Sequence, residues 1–275
     1  MNIRPSPIAG RWYPGRPLRL RETISRYIET ADQDMVSGKV WGVLAPHAGF
    51  VYSGPVAAYA FACVASLQPE LVVVLSPYHH VHSAPLLTTA HEAYETPLGV
   101  VPVAADVVRK LDEVLQVQAG MGLTAVRRDP EHAIEIELPF LQVLLGDFKL
   151  VPVMLRDQRM ETARALGMAL ADCVVGRNVL FVASSDLSHF YTQAEAAVFD
   201  KTVLQRVAAF DPAGVIRAEA EGVGFACGRG AIAAMLWATQ KLGANRVQLL
   251  HYATSGDVSG DMASVVGYGA AVVVE

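Results

Sequence analysis

Short apolar runs recur along the chain, and most are followed by a turn and then by a segment with helical periodicity. The runs that we predict as strands cover residues 40–45, 71–76, 149–155, 178–184, 246–254 and 264–274. Continuous Val, Leu and Ile, rather than alternating polar and apolar residues, indicate strands that are covered on both faces. Helices are predicted at about residues 55–67, 160–175, 193–210 and 231–242. The pattern therefore predicts an α/β fold with three layers.

The organisation of the chain favours one domain over residues 1–275. The sequence has no internal repeat, no low-complexity segment and no linker rich in Ser and Gly. Residues 120–129 are predicted to form a long surface loop. A chain of 275 residues is long enough to bury a large core. We therefore expect a single αβα domain with a central mixed sheet flanked by helices.

Composition narrows the class of protein. Hydrophobic residues make up 52% of the chain, charged residues make up 18%, and the formal net charge is -5. Such a chain is too apolar for a disordered protein and too acidic for a general nucleic-acid binder. Its apolar runs are shorter than the roughly 18–20 residues of a membrane helix, and its first residues lack the apolar run of a secretory signal. Because the three cysteines are far apart, they predict neither a disulfide framework nor a CxxC zinc site. We expect a cytoplasmic protein that binds neither nucleic acid nor a membrane.

Imidazole and carboxylate side chains follow the ends of three predicted strands. In open α/β sheets, ligands bind at the carboxyl ends of the strands. The residues found there are His47, His79, His80, Asp186 and His189. Converging imidazoles and a carboxylate are the groups that a divalent transition metal or an acid–base site needs. The sequence therefore predicts a metal site or an acid–base site at this edge of the sheet.

Two further segments add candidate groups. His132 and Glu135 are three positions apart and share a face if their segment starts a helix. Glu131, Glu135 and Glu137 fit a solvated face equally well, and we favour that interpretation for Glu137. Cys227 lies just before a predicted helix, where the helix N-terminus should lower the pKa of a thiol and favour the thiolate. Cys227 is therefore the cysteine with a predicted function.

Several motifs together resemble the Memo family, also called AmmeMemoRadiSam system protein B. In chain order they are AGRWYP from residue 9, APHAGF from 45, PYHH from 77, YETPLG from 94, EH from 131, LPF from 138, SSDLSH from 184 and CGR from 227. Each motif alone is a weak signal, whereas their common order is specific. The resemblance extends over nearly the whole chain.

The resemblance implies a fold similar to that of class III extradiol dioxygenases, which bind non-haem Fe(II) through two histidines and a glutamate. The two histidines correspond to His47 and His79, and Cys227 stands at the position of the glutamate. The family is described as binding iron or copper, with redox activity. For this chain we expect one metal ion, with Fe(II) as the first choice, copper as the second and zinc as the third. Two imidazoles and a thiolate would leave room for dioxygen or a chelating substrate.

The resemblance also implies roles for groups around the metal. His132 and His189 match positions that serve in acid–base chemistry and in orienting the substrate, and Asp186 lies beside them. We therefore assign His132, His189 and Asp186 as candidate catalytic residues. Other side chains next to the motifs are candidates for contact with an aromatic small molecule: Phe50, Tyr78, His80 and Arg229.

We predict a dioxygenase-like oxidoreductase that acts on a small molecule, and two other functions stay open. A zinc-type hydrolase could use Asp186 or Glu135 as its base, although the chain contains neither HExxH nor GxSxG. A binding or adaptor module could retain the metal pocket without catalysis. For that alternative the resemblance implies a radical SAM protein and an AMMECR-type protein as partners. The sequence is compatible with a monomer and with an oligomer.

Overall fold

Strands and helices alternate along the chain in a computed structural model that describes residues 1–31 and 36–275. Among these residues the strands are β1 (Ile3–Arg4), β2 (Val40–Ala45), β3 (Leu71–Pro77), β4 (Leu86–Thr89), β5 (Ala93–Thr96), β6 (Gly99–Pro102), β7 (Leu123–Val126), β8 (Lys149–Leu155), β9 (Val179–Ser184), β10 (His189–Tyr191), β11 (Arg246–Thr254) and β12 (Val265–Val274). The helices are α1 (Pro17–Thr30), α2 (Phe50–Ala62), α3 (Ala105–Ala119), α4 (Leu138–Leu144), α5 (Met160–Val174), α6 (Gln193–Ala208), α7 (Pro212–Ala220), α8 (Arg229–Leu242) and α9 (Gly256–Ser259), with a 3-10 turn at Glu135–Glu137. No helix in the described ranges has the length and apolarity needed to cross a membrane.

The main sheet is mixed, as predicted. Its strands follow the order β10, β12, β2, β9, β3, β8, β4, β7, and β11 pairs with β12. The neighbours β2, β9, β3 and β8 are parallel, whereas β12 joins β2 and β4 joins β8 in antiparallel fashion. A smaller sheet consists of β1, β5 and β6. Because β2, β9 and β3 are parallel neighbours, their carboxyl ends meet at one edge of the main sheet.

Two hydrophobic clusters cover the two faces of the main sheet. One contains side chains of α3, α5, α7 and α8, and the other contains side chains of α1, α2 and α4. Strand β3 shows why its run is continuously apolar: Leu71, Val73 and Leu75 enter the first cluster, whereas Val72 and Val74 enter the second. The side chains alternate between the faces, and both faces are buried. The predicted three-layer αβα architecture is confirmed.

The structure corrects one predicted helix and one predicted loop. Helix α2 covers Phe50–Ala62 rather than about residues 55–67, and Pro55 lies inside it. A proline inside a helix removes one backbone hydrogen bond, and the burial of Phe50 against Tyr13 and Phe140 favours the earlier start. The predicted loop at 120–129 contains β7, which pairs in parallel with β4. Its four residues are too few to show a strand pattern by themselves.

Phe61 provides a test of the core on the α2 side of the sheet. Its ring is fully buried and stacks on Phe140 with the ring centroids 4.9 Å apart. We expect Phe61→Ala to lower the free energy of unfolding by about 3–5 kcal/mol, because it removes buried apolar surface and leaves a cavity. Unfolding in urea measures this change. The control Leu18→Ala, at a side chain that is 72% exposed, should change it by less than about 0.5 kcal/mol. Equal effects of the two substitutions would contradict the packing described.

Candidate metal centre

A cluster of potential metal ligands lies at the carboxyl edge of the parallel strands. His47 follows β2, His79 follows β3 and Asp186 follows β9. Cys227 reaches the same place from the segment that leads into α8. His47, His79 and Cys227 each offer one donor atom, and these three atoms lie within 4.8 Å of one another. The fold thus brings together the three residues that the resemblance assigned to the metal.

His47 is buried, and its ring is fixed by hydrogen bonds. Its Nδ1 lies 2.9 Å from Oγ of Ser184, and that hydroxyl donates to the carbonyl oxygen of Ala133 at 2.6 Å. Nδ1 of His47 therefore donates to Ser184, and Nε2 keeps its lone pair, 3.1 Å from Sγ of Cys227. The backbone N–H of His47 donates to Oδ1 of Asp186 at 2.7 Å. Burial lowers the pKa of His47 to about 3, which favours the neutral imidazole that binds metals.

Glu131 orients His79. The Nδ1 of His79 lies 2.9 Å from Oε1 of Glu131, and the backbone N–H of His79 donates to Oε2 at 2.6 Å. The backbone N–H groups of His132 and Ala133 donate to the same carboxylate. Although burial raises the pKa of Glu131, these hydrogen bonds and the charge of His79 bring it down to about 2. With Nδ1 held, Nε2 of His79 is the nitrogen available to a ligand, as is usual for metal-binding histidines that donate to a carboxylate.

Cys227 lies in an environment that differs from the prediction. Its Sγ accepts the backbone N–H of Asp186 at 3.2 Å and lies 3.8 Å from Oγ of Ser185. The predicted lowering of the thiol pKa is wrong: burial and the charge of Asp186 raise the pKa of Cys227. Removal from water penalises the thiolate more than the N-terminus of α8 stabilises it. A metal ion bound here would lower the pKa of the Cys227 thiol, because a thiol that coordinates a metal loses its proton.

A cavity of about 470 Å³ opens beside the cluster. Its lining is mostly apolar, and the residues that form it are Arg11, Trp12, His47, Ala48, Gly49, Tyr52, His79, His132, Asp186, His189 and Val266. The indole of Trp12 packs on the ring of His132 with the centroids 4.2 Å apart, and His132 stacks on His79 at 4.9 Å. Flat aromatic surfaces therefore form one wall of a space large enough for a small molecule.

The three residues assigned as catalytic all line this cavity. Nδ1 of His189 lies 2.8 Å from the carbonyl oxygen of Leu187. Because a carbonyl oxygen only accepts, Nδ1 donates this hydrogen bond, and in the neutral ring Nε2 carries the lone pair. Burial and the nearby ring of His47 lower the pKa of His132 to about 3, whereas burial raises the pKa of Asp186. The cavity thus contains His47 and His132 as neutral imidazoles. Although burial lowers the pKa of His79, its hydrogen bond to Glu131 raises that pKa above its ordinary value.

The other predicted contact residues lie outside this cavity. Phe50 is buried in the core. Tyr78 is also buried, and its ring meets the exposed ring of His80 edge-on at 5.6 Å. Arg229 lines a second cavity of about 220 Å³ on another side of the cluster, where it forms an ion pair with Glu219. None of these four residues is among those that line the main cavity.

Two glutamates of the 3-10 turn are buried. Glu137 is 1% exposed and lies 2.6 Å from Oγ of Ser184, so the prediction of a solvated face is wrong for this residue. Glu135 is fully buried and binds Arg4 and the hydroxyl of Tyr13, at 2.6 and 2.7 Å. Their partners come from distant parts of the chain, which local periodicity cannot show. Because Glu135 faces these partners rather than the cavity, it does not fit the role of a hydrolytic base.

The fold and the cluster define a three-layer α/β protein with a site of two histidines and one cysteine at the carboxyl edge of its sheet. The family model described as Memo-like protein matches residues 4–272. The chain is 36% identical to the MEMO1 family protein of Nitrosopumilus maritimus and 38% identical to that of Methanopyrus kandleri, each over 98% of both chains. It is 36% identical to the MEMO1 family protein of Methanosarcina acetivorans over 100% of both chains. The protein belongs to the Memo-like family, as its motifs predicted.

A solved structure supports the architecture. The crystal structure of an uncharacterized protein from Escherichia coli K12 matches 85% of this chain and 100% of its own, with a TM-score of 0.54. The sequence identity between the two is 14%. At this identity the likeness shows a common fold and carries no argument about activity.

Proposed function

We propose that this protein is a dioxygenase-like oxidoreductase with a mononuclear non-haem metal centre held by His47, His79 and Cys227. The observation that supports the proposal is that a hydrogen bond fixes the orientation of each of the two imidazole rings. The Nδ1 atom of each ring is held by an orienting group, while the donor atoms of the cluster converge within 4.8 Å. Metal-binding histidines have this arrangement, in which an outer partner fixes the ring for the metal.

The donor set fits a redox-active ion. Imidazole suits iron, copper and zinc, and a thiolate adds negative charge and a soft donor. We propose Fe(II) first, copper second and zinc third. When bound, iron or copper would supply electrons to dioxygen and would leave coordination positions open for a chelating substrate.

The residues of the cavity would bind the substrate and move its protons. The indole of Trp12 and the ring of His132, which stacks on His79, offer aromatic surfaces to a planar molecule. Nε2 of His189 carries a lone pair and can accept a proton from a substrate hydroxyl. The apolar lining would keep bulk water away from the reacting groups. Together these features favour a small aromatic compound with ionisable oxygen atoms.

Elemental analysis of protein purified without oxygen tests the proposal. We expect a single bound metal ion per chain, mainly iron, and consumption of dioxygen when catechol-like compounds are added. The same measurement on protein stripped with a chelator should show no uptake. Protein that stays metal-free after anaerobic reconstitution with Fe(II) and Cu(I) would contradict the proposal. Zinc-loaded protein that is active under nitrogen would instead support the hydrolytic alternative.

A further inference from the structure

The guanidinium of Arg4, in β1, is buried and forms ion pairs with two carboxylates, those of Asp129 and Glu135. Its side chain is 1% exposed. Nε and Nη2 donate to the carboxylate of Asp129 at 3.0 to 3.2 Å, and Nη1 lies 2.6 Å from Oε2 of Glu135. The guanidinium also lies over the ring of Tyr94, 4.8 Å from its centroid. A charge is buried to this degree only where its N–H groups are paired.

Two further hydrogen bonds of Arg4 go to the backbone next to the metal centre. Nη2 donates to the carbonyl oxygens of Asp129 and Glu131, at 3.2 and 2.5 Å. The carboxylate of the same Glu131 holds His79 at both Nδ1 and the backbone N–H. One side chain of the small sheet is therefore connected to the group that orients a proposed metal ligand.

Other N-terminal residues contact the same segment. Ser6 and Tyr13 both donate to Oε1 of Glu135. The single guanidinium of Arg4 faces two carboxylates, and these hydroxyls supply the Glu135 carboxylate with additional hydrogen-bond donors. Arg4 differs from Ser6 and Tyr13 because its hydrogen bonds also reach the backbone at Glu131.

We propose that Arg4 is a positioning residue of the metal centre: it fixes the backbone at Asp129–Glu131 and so sets the carboxylate of Glu131 against His79. This inference rests on the proposed metal function. Loss of an outer partner of a metal-binding histidine typically weakens metal binding by about 10–100-fold. If Arg4 acts through Glu131, its substitution has an effect of at most this size, and it has none once the carboxylate is removed.

A double-mutant cycle separates this role from general support of the fold. The variants are Arg4→Lys, Glu131→Gln and the combination of both, and Co(II) is the probe, with its affinity measured by competition with a chelator. Lysine keeps the positive charge, but its single ammonium cannot donate hydrogen bonds to both Asp129 and the carbonyl oxygen of Glu131 with the geometry of a guanidinium. We expect Arg4→Lys to weaken Co(II) binding by about 10-fold, Glu131→Gln by about 10–100-fold, and the combination by no more than Glu131→Gln alone.

Additive losses, or an unchanged affinity in Arg4→Lys, would overturn the inference. Arg177→Gln is the matched control, because this arginine is paired with Glu70 near the opposite end of the strands and should not change Co(II) affinity. If circular dichroism shows that Arg4→Lys does not fold, Arg4→Gln combined with Asp129→Asn removes one charge of each sign and enters the same cycle. Failure of the unmodified protein to bind Co(II) would refute the proposed function itself, whereas normal binding with an unaffected Arg4 variant refutes only the role of Arg4.

Discussion

His47→Ala, His79→Ala and Cys227→Ala should each remove the metal from the purified protein. Each substitution deletes one of three converging donors, and two donors hold a divalent ion poorly. We expect each affinity to fall by more than the roughly 10–100-fold that is typical of an outer partner. The measurements are metal content after anaerobic purification and Co(II) affinity in competition with a chelator.

Two further cysteine substitutions test whether the loss of metal is specific to the donor atom of Cys227. Cys63→Ala is the matched control for Cys227→Ala, because Cys63 is a half-buried cysteine that lies at the far end of α2 and should leave the metal content unchanged. Cys227→Asp keeps an anionic donor and should retain Co(II) while losing the near-ultraviolet absorption of a thiolate–cobalt bond. A Cys227→Ala variant that binds Co(II) with normal affinity and normal absorption would remove Cys227 from the ligand set.

His189→Gln should lower turnover by about 10²–10⁴-fold while leaving the metal in place. The hydrogen bond from Nδ1 to the carbonyl oxygen of Leu187 leaves Nε2 as a proton acceptor in the cavity. Glutamine is polar and of similar reach, but its amide cannot accept a proton near neutral pH. The measurement is dioxygen uptake with a catechol-like compound that supports it in the unmodified protein, together with metal analysis of the variant.

The outcome separates proton transfer from metal binding. His82→Gln is the control, because the ring of His82 lies in a loop and accepts the backbone N–H of Ala84 outside the cavity. It should leave both uptake and metal content unchanged. Loss of metal from His189→Gln would point to a structural role for His189, and unchanged uptake would exclude it as the proton acceptor.

Local patterns were sufficient for much of the fold. Strands β2 and β8 begin and end where the apolar runs predict, because burial on both faces of a sheet requires a continuous run. Strand β11 also has the predicted bounds, although most of its residues are only partly buried. The rule that ligands bind at the carboxyl ends of parallel strands pointed to His47, His79 and Asp186. The motifs that resemble the Memo family then added Cys227, which lies on no strand of the sheet.

Other features depend on contacts between remote residues. Glu131 orients His79, and Glu137 is buried against Ser184. These partners lie 52 and 47 positions away along the chain, so only the tertiary fold brings them together. The thiol of Cys227 has a raised pKa because the fold removes it from water. The local periodicity of the sequence therefore cannot predict these contacts or the burial of the Cys227 thiol.

By itself, the sequence determined that β2, β3, β8 and β9 are covered on both faces and which imidazoles follow them, since the alternation of side chains across a strand is a local property. Only the tertiary structure decided which charged groups are buried and which partners they have. Arg4 and Asp129 are 125 positions apart, and their pairing exists because the tertiary fold places β1 next to the segment that carries Asp129 and Glu131. Desolvation makes such a pairing obligatory once the fold encloses it, because an unpaired charge in the interior costs more than the fold can tolerate.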